Sequence, residues 1–299
     1  MSTSARWFLE LADQVLTCLN EQTRASIDTF LLGAGDLPDW DVSFIQLAYH
    51  LEPNHLSPQV LMQCCPYARP TSFTEKMAKA ARRGWLREKK EDFVLTFRGR
   101  EVAQELNELC DRLFAKVETL PRPQMKRTLT LLDKVAAKIK VLPAPSEKPA
   151  FELSLRFERD SSAPTLSRIR RRMIDLLAFY DDAHLAARVP HEASGLLWET
   201  FTYIWQGDAN TAPKLAARLS YRNYTEGDYA AALEELTTRG WIMQLDDEQY
   251  VVQKQAAQMR CQVEETTDRL FETAFASLSA TEAIEFEQLL KDFCRQIRT

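Results

Sequence analysis

Basic side chains concentrate between Arg69 and Arg100, where ten basic and four acidic residues leave a net charge of +6. Lys76, Lys79 and Arg83 are spaced three and four residues apart, which places them along one face of a helix. Lysine and arginine bind phosphate oxygens, and both also reach the edge of guanine. The chemistry that this stretch predicts is therefore the binding of a polyanion rather than a bond-making reaction.

The rest of the chain offers no pattern typical of a catalytic or cofactor site. Only four histidines occur, and we find no serine–histidine–aspartate order, paired-carboxylate motif or glycine-rich phosphate loop. The six cysteines form no C-x-x-C pair, and the adjacent Cys64 and Cys65 cannot easily share a metal ion. We expect a protein that is not an enzyme and that holds neither a cofactor nor a metal.

The central basic residues fall on a segment that the sequence predicts to be a helix over residues 72–83. Phe73, Met77 and Ala80 recur at helical spacing and would face inward, leaving the basic side chains on the opposite face. Gly84 follows directly, in the position where a glycine commonly ends a helix.

A β-hairpin is predicted after this helix, with strands at 85–87 and 93–96 joined by a charged tip at 88–92. Two shorter helices, at about 40–51 and 58–65, are predicted before it. This order of elements is that of a winged helix-turn-helix, in which the last helix of the trio enters the major groove of DNA.

The chain also repeats itself. Arg83-Gly84-Trp85 recurs as Arg239-Gly240-Trp241, and Asp111-Arg112-Leu113-Phe114 recurs as Asp268-Arg269-Leu270-Phe271. Offsets of about 156–158 residues indicate two domains of one kind. We predict a first winged-helix domain over 1–140, a proline-containing linker over 141–165 and a second winged-helix domain over 166–299. Within the linker, apolar and polar residues alternate over 151–158, which is typical of a strand.

The second copy differs from the first in charge. Residues 213–256 carry five basic and seven acidic side chains, for a net charge of −2. Its predicted recognition helix, over 228–239, would present Asp228, Ala231, Ala232, Glu235 and Thr238 on the outer face. A basic run at 168–172 is open to two interpretations, a compensating contact with the DNA backbone or a solvated face.

The first copy resembles the MarR family of bacterial regulators over about residues 40–139. The resemblance rests on the order of elements, on Arg83-Gly84-Trp85 and on a Leu-Thr-x-x-Gly-Arg-Glu pattern met at Leu95, Thr96, Gly99, Arg100 and Glu101. It implies pairing through the terminal helices, so that this chain would be a single-chain pseudo-dimer. The mutual core would then comprise the helices at 98–119, 124–139, 255–278 and 281–297.

The resemblance also implies a small aromatic effector bound between the terminal helices and the DNA-binding part. Aromatic residues cluster around the first helices of the second copy and would either line such a pocket or form plain core. They are Phe179, Tyr180, Trp198, Phe201, Tyr203 and Trp205.

The expected fold is mainly α with short β-hairpin wings, as tandem winged helix-turn-helix domains. The expected function is a sequence-specific, double-stranded DNA-binding transcriptional regulator that contacts DNA chiefly through its first winged helix. The alternative is a degenerate winged-helix protein that binds a protein or an effector without DNA. No run spans a membrane, and we expect a cytoplasmic protein, with further oligomerisation left open. The predicted DNA-binding residues are Arg69, Thr71, Ser72, Lys76, Lys79, Arg82, Arg83, Arg87, Lys89 and Lys90.

Overall fold

The computed structural model describes residues 6–34, 39–117, 120–245 and 249–297. The architecture is mainly helical with two small antiparallel hairpins, as the sequence predicts. The elements in chain order are α1 (Arg6–Gly33), α2 (Asp39–Leu51), α3 (Pro58–Cys64), α4 (Pro70–Arg82), β1 (Leu86–Lys89), β2 (Asp92–Leu95), α5 (Phe97–Phe114), α6 (Arg122–Lys140), α7 (Pro149–Leu155), α8 (Thr165–Arg188), α9 (Gly195–Gln206), α10 (Ala212–Arg218), α11 (Glu226–Thr238), β3 (Ile242–Gln244), β4 (Tyr250–Val252), α12 (Lys254–Phe275) and α13 (Ala280–Ile297).

Two of the predicted elements are wrong. The sequence predicts separate helices at 7–19 and 25–32, whereas α1 runs through both, because Thr23 between them is buried and continues the inner face of Val15 and Leu19. The predicted strand at 151–158 contains the helix α7 instead. The Asp182 carboxylate accepts hydrogen bonds from the backbone N–H groups of Ala150 and Phe151, at 2.9 and 2.8 Å, and so satisfies donors that a helix start leaves unpaired.

The chain divides into two compact units, each assembled from segments distant in sequence. Unit 1 comprises Met1–Leu56, Met77–Ala183 and Asp268–Thr299, and unit 2 comprises Ser57–Lys76 and His184–Thr267. The division of the sequence at 1–140, 141–165 and 166–299 stays a prediction.

The core of unit 1 draws on more helices than the resemblance implies. Apolar faces of α6 and α13 are buried in it, as expected, but those of α1 and α8 are buried there too. The long helices α5 and α12 enter this core only near their C-terminal ends, through Phe114 and through Phe271 and Ala274. The N-terminal helix joins because Phe8, Val15 and other apolar residues on one face of α1 are fully buried.

The core of unit 2 lies among α9, α10 and α11. Trp198, Phe201, Tyr229 and Leu236 are its large, fully buried members. Tyr229 and Leu236 lie on the inner face of α11, as the helical spacing predicts.

Each hairpin bonds to the segment before the middle one of the three helices that precede it. That helix is α3 in the first copy and α10 in the second. Phe93 of β2 exchanges two backbone hydrogen bonds with Leu56, at 2.8 and 2.9 Å. In the second copy, Tyr250 of β4 donates to the carbonyl of Asn210 at 3.1 Å. The first hairpin is tighter than predicted, because Lys89 pairs with Asp92 and Lys90 takes a positive φ of 61° in the turn between them.

The repeated Arg-Gly-Trp motif closes α4 and α11 in the same way. Gly84 and Gly240 adopt positive φ values of 83° and 69°, which a residue with a side chain rarely takes. The backbone N–H of Trp85 then donates to the carbonyl of Ala80 at 3.1 Å, and that of Trp241 donates to the carbonyl of Leu236 at 3.0 Å. These bonds satisfy carbonyls left open at the helix ends. The shared motif is therefore explained by the fold rather than by contact with a ligand.

Acidification is expected to destabilise unit 2 through His184. Trp198 Nε1 donates to His184 Nε2 at 3.2 Å, so this nitrogen must be unprotonated. Burial, and next the charge of Arg260, lower the pKa of His184 to about 4. Because the unfolded chain binds this proton near pH 6.5 and the folded chain does not, stability is present above pH 6.5 and is lost as the pH falls towards about 4.

Urea unfolding at about pH 7.5 and about pH 5 measures this effect, and we expect a loss of roughly 1–2 kcal/mol attributable to this group. The His184→Gln variant should lose correspondingly less between the two conditions. An identical loss in the variant would show that His184 does not carry the effect.

Candidate nucleic-acid interface

The predicted recognition helix forms, but it starts two residues earlier than expected. α4 begins at Pro70, and its inner face buries Phe73, Met77 and Ala80 as predicted. Ser72 lies in the first turn and is also fully buried, with no hydrogen-bond partner for its Oγ among the described atoms. Its prediction as a DNA-contacting residue is therefore wrong, because a fully buried side chain cannot reach a ligand in solvent.

The C-terminal half of α4 and the residue that follows it carry three of the predicted basic residues. Lys79 and Arg82 are exposed. Arg83 is half-exposed and bonds through Nη1 to Oδ2 of Asp41 at 2.7 Å, where the carboxylate is only 4% exposed. Arg83 thus ties the end of α4 to α2, and only part of its guanidinium is left for a ligand. The sequence did not indicate that Asp41 pairs with Arg83, since the two residues lie 42 positions apart.

The first hairpin, which we call wing 1 (residues 86–95), carries the next three. Arg87, Lys89 and Lys90 are exposed, and Lys89 Nζ lies 3.1 Å from His55 Nε2. All six basic residues from Lys79 to Lys90 belong to unit 1 and lie on two consecutive elements. This segment is a solvent-facing cationic surface.

The other predicted residues belong to unit 2. Arg69 and Thr71 are exposed where α4 begins. Lys76 is half-buried, and its Nζ donates to the backbone carbonyl of Tyr221 at 3.3 Å. Lys76 therefore already contacts protein, which its spacing in the sequence did not indicate.

The equivalent helix of the second copy presents a different surface. Thr225 and Asp228 form a reciprocal N-terminal cap, with the backbone N–H of Thr225 donating to Oδ2 of Asp228 at 2.7 Å. Exposed carboxylates follow at Glu226, Glu234 and Glu235. Ala232, predicted to face outward, is buried. This surface would repel phosphate.

The second hairpin, wing 2 (residues 242–252), exposes apolar side chains. Met243 pairs with Val251 across the strands, and the two are 43% and 36% exposed. Arg87 and Val94 pair at the corresponding register in wing 1. The acidic tip at 246–248 lies outside the described residues.

The basic run at 168–172 is neither a DNA contact nor a solvated face. Ile169 is fully buried, and Arg171 bonds to Asp175 at 2.9 Å. Arg172 bonds to Asp133 at 2.7 Å and to Asp175 at 3.0 Å. These arginines neutralise carboxylates within unit 1, and both interpretations made from the sequence are wrong.

The aromatic residues around the second copy's first helices are mostly core. Phe179 is fully buried in unit 1, whereas Trp198 and Phe201 are buried in unit 2. Tyr180 and Tyr203 pack at the edges of these cores, and the ring of Trp205 lies 5.1 Å from the Arg260 guanidinium.

Unit 1 contains a separate cavity of about 90 Å³ that the sequence did not reveal. Burial, and next the charges of Arg159 and Arg171, lower the pKa of His50 in its wall to about 4. Ser167 Oγ and Arg170 Nε, also in the wall, are buried and have no hydrogen-bond partner among the described atoms. The lining residues are His50, Asn107, Cys110, Asp111, Phe114, Phe157, Arg159, Ser167, Arg170 and Arg171.

Among the described residues, no three side chains of the histidine, cysteine, aspartate or glutamate types gather in a way that could hold a metal ion. Over the same residues, no helix combines the length and apolar character needed to cross a bilayer.

Comparison with known proteins places a helix-turn-helix region in the second half of the chain. Residues 181–299 match a helix-turn-helix family, and this range contains α9, α10, α11 and wing 2. No curated protein and no solved structure matches the chain. At a coarse level, the match indicates a DNA-binding regulator of the helix-turn-helix class.

Proposed function

We propose that this protein is a sequence-specific, double-stranded DNA-binding transcriptional regulator built from two MarR-like winged helices in tandem, paired within one chain. Most DNA contact comes from the first winged helix, through α4 and wing 1. Such a regulator would act in the cytoplasm. The observation that carries the proposal is the exposed cationic surface from Lys79 to Lys90, set on the two elements that a winged helix uses against DNA.

Electrostatics favours the first copy over the second. Phosphate contacts supply most of the affinity of proteins for DNA, and each requires a cation that can reach the backbone. Lys79, Arg82, Arg87, Lys89 and Lys90 are all exposed. The corresponding surface of α11 carries exposed carboxylates, so the family match over the second copy supports its fold class more than its contact with DNA.

The salt dependence of binding to a generic duplex tests this proposal. With about five phosphate contacts, the association constant should fall roughly 500-fold between about 50 and 200 mM salt. Fluorescence anisotropy of a labelled duplex measures it. Absence of binding at low salt, or binding indifferent to salt, would contradict the proposal.

A second function, as a protein-binding module without DNA, is favoured by one observation. Wing 2 exposes Met243 and Val251 where wing 1 carries Arg87 and Val94. An exposed apolar pair suits a partly apolar protein surface. A chain that ignores DNA at low salt, and whose partner is lost in a Met243→Ser, Val251→Thr variant, would support this function instead.

The effector in our proposal is a small aromatic acid, for which the cavity of unit 1 offers cationic and aromatic walls. Arg170, whose Nε is buried without a partner among the described atoms, would attract a carboxylate. Arg159 and Arg171 are already paired with Asp111 and Asp175, and Phe114 and Phe157 would contact a ring. Benzoate is the probe. It should raise the melting temperature of the wild type and not that of an Arg170→Gln variant, whereas equal shifts in both would contradict this site.

A further inference from the structure

The turns of the two helix-turn-helix motifs contact each other within unit 2. We call residues 65–69 the first turn and residues 220–224 the second turn. The backbone N–H of Arg69 donates to the carbonyl of Arg222 at 3.0 Å. The hydroxyl of Tyr224 donates to the carbonyl of Ala68 at 3.2 Å. The two turns are therefore bonded directly to each other.

Arg222 is the centre of this contact. Its guanidinium bonds to both carboxylate oxygens of Glu199, with the closest approach at 2.7 Å, and donates to Cys65 Sγ at 3.2 Å. It also lies over the ring of Tyr67, 5.4 Å from the centroid. Burial opposes its charge, but the hydrogen bonds to Glu199 outweigh burial and raise the pKa of Arg222. A charged, bidentate and largely buried pair of this kind fixes geometry.

A close backbone approach adds to the contact. A Cβ at Gly195, the first residue of α9, would lie 1.8 Å from the carbonyl oxygen of Pro66. Only glycine permits this distance, so the start of α9 and the region of the first turn are in direct contact.

These contacts limit the separation of the two recognition helices. α4 begins one residue after Arg69, and α11 begins four residues after Arg222, which is at most about 14 Å of extended chain. The two helix starts therefore lie within about 25 Å of each other. Base contacts come from the N-terminal part of a recognition helix, and two half-sites are about 34 Å apart, so this arrangement does not fit two half-sites.

We propose that the protein reads a single, asymmetric DNA site through its first winged helix, while the second winged helix holds the first turn in position. This inference rests on the proposed function and names its DNA class, a non-palindromic site within about one helical turn. Arg222 and Glu199 are positioning residues in this account. The acidic surface of α11 agrees with it, because a helix that does not read DNA has no need of cations.

Selection from a random duplex library, with the full chain, tests the class of site. We expect one enriched motif without two-fold symmetry. An inverted repeat with half-sites about 10 base pairs apart would overturn this inference and leave the proposed function standing. No enrichment, together with no salt-dependent binding to generic duplex, would count against the proposed function itself.

The positioning role is tested by Glu199→Gln, with Glu235→Gln as the matched control on the exposed face of α11. Glu199→Gln should weaken binding to the selected site about fivefold without changing the salt dependence, since no phosphate contact is removed. Loss of one phosphate contact in Lys79→Ala should instead lower the slope of log affinity against log salt by about 1. Glu235→Gln should leave binding to the site unchanged.

If Glu199→Gln does not fold, Tyr224→Phe replaces it. This variant removes only the hydroxyl that donates to the carbonyl of Ala68, and it should weaken binding to the selected site by a smaller factor. Unchanged or tighter binding in a folded Glu199→Gln or Tyr224→Phe variant would overturn the positioning role. Tighter binding in particular would show that the contact between the turns inhibits DNA binding.

Discussion

Replacing Lys79 and Arg82 with glutamate is expected to weaken the binding of duplex DNA by about 100-fold or more at moderate salt. Both side chains are exposed on α4. Each lost phosphate contact removes one released counterion, and each new carboxylate adds repulsion. The slope of log affinity against log salt should fall by about 2. Anisotropy titrations of wild type and variant on one duplex measure both quantities.

The matched control is Lys214→Glu with Arg218→Glu. These exposed residues lie on α10 of the second copy, and the double variant changes the net charge by the same amount. If DNA binds through the first winged helix, the control variant should lose little affinity, because only its overall charge has changed. Equal losses in the two variants would show that net charge, rather than the cationic surface of α4, governs binding.

Replacing Gly195 with alanine is expected to lower the free energy of unfolding by about 2–3 kcal/mol, the upper part of the range typical of overpacking. The new Cβ would meet the carbonyl oxygen of Pro66 at 1.8 Å and its carbonyl carbon at 2.5 Å. Both are backbone atoms, so no side-chain rotation relieves the clash. Urea unfolding followed by tryptophan fluorescence measures the loss.

Gly227→Ala is the control for the same chemical change. Gly227 also lies in the first turn of a helix, α11. The atom nearest to a Cβ added there would be Thr225 Oγ1, at an ordinary contact distance of 3.7 Å. Alanine should be neutral there or stabilise by up to about 1 kcal/mol, because glycine is the poorer helix former. Similar effects of the two substitutions would mean that α9 and the first turn are not in close contact.

Local patterns in the sequence predicted the elements well. Apolar spacing identified the inner faces of α4 and α11, and Gly84 and Gly240 marked the ends of both helices. Ser72 was predicted to contact DNA together with Lys76 and Lys79, but it is fully buried in the first turn of α4, which spacing alone did not indicate. The strand predicted at 151–158 failed because Asp182, distant in sequence, caps a helix there.

Side-chain partners could not be predicted, since they depend on how distant segments meet. The arginines at 168–172 read as a free cationic run, but carboxylates such as Asp133 and Asp175 neutralise them. Lys76 and Arg83 fit the recognition surface by spacing, yet one contacts the carbonyl of Tyr221 and the other pairs with Asp41. The exposed residues Lys79, Arg82, Arg87, Lys89 and Lys90 therefore form the sharper candidate site.

We expect DNA to contact the first winged helix and not the second. Photocrosslinking of a duplex of about 30 base pairs, long enough for several helical turns, followed by mass spectrometry of the attached peptides, tests it most directly. We predict crosslinks within residues 69–95 and none within α11 or wing 2. Crosslinks concentrated on residues 226–252 would contradict the account.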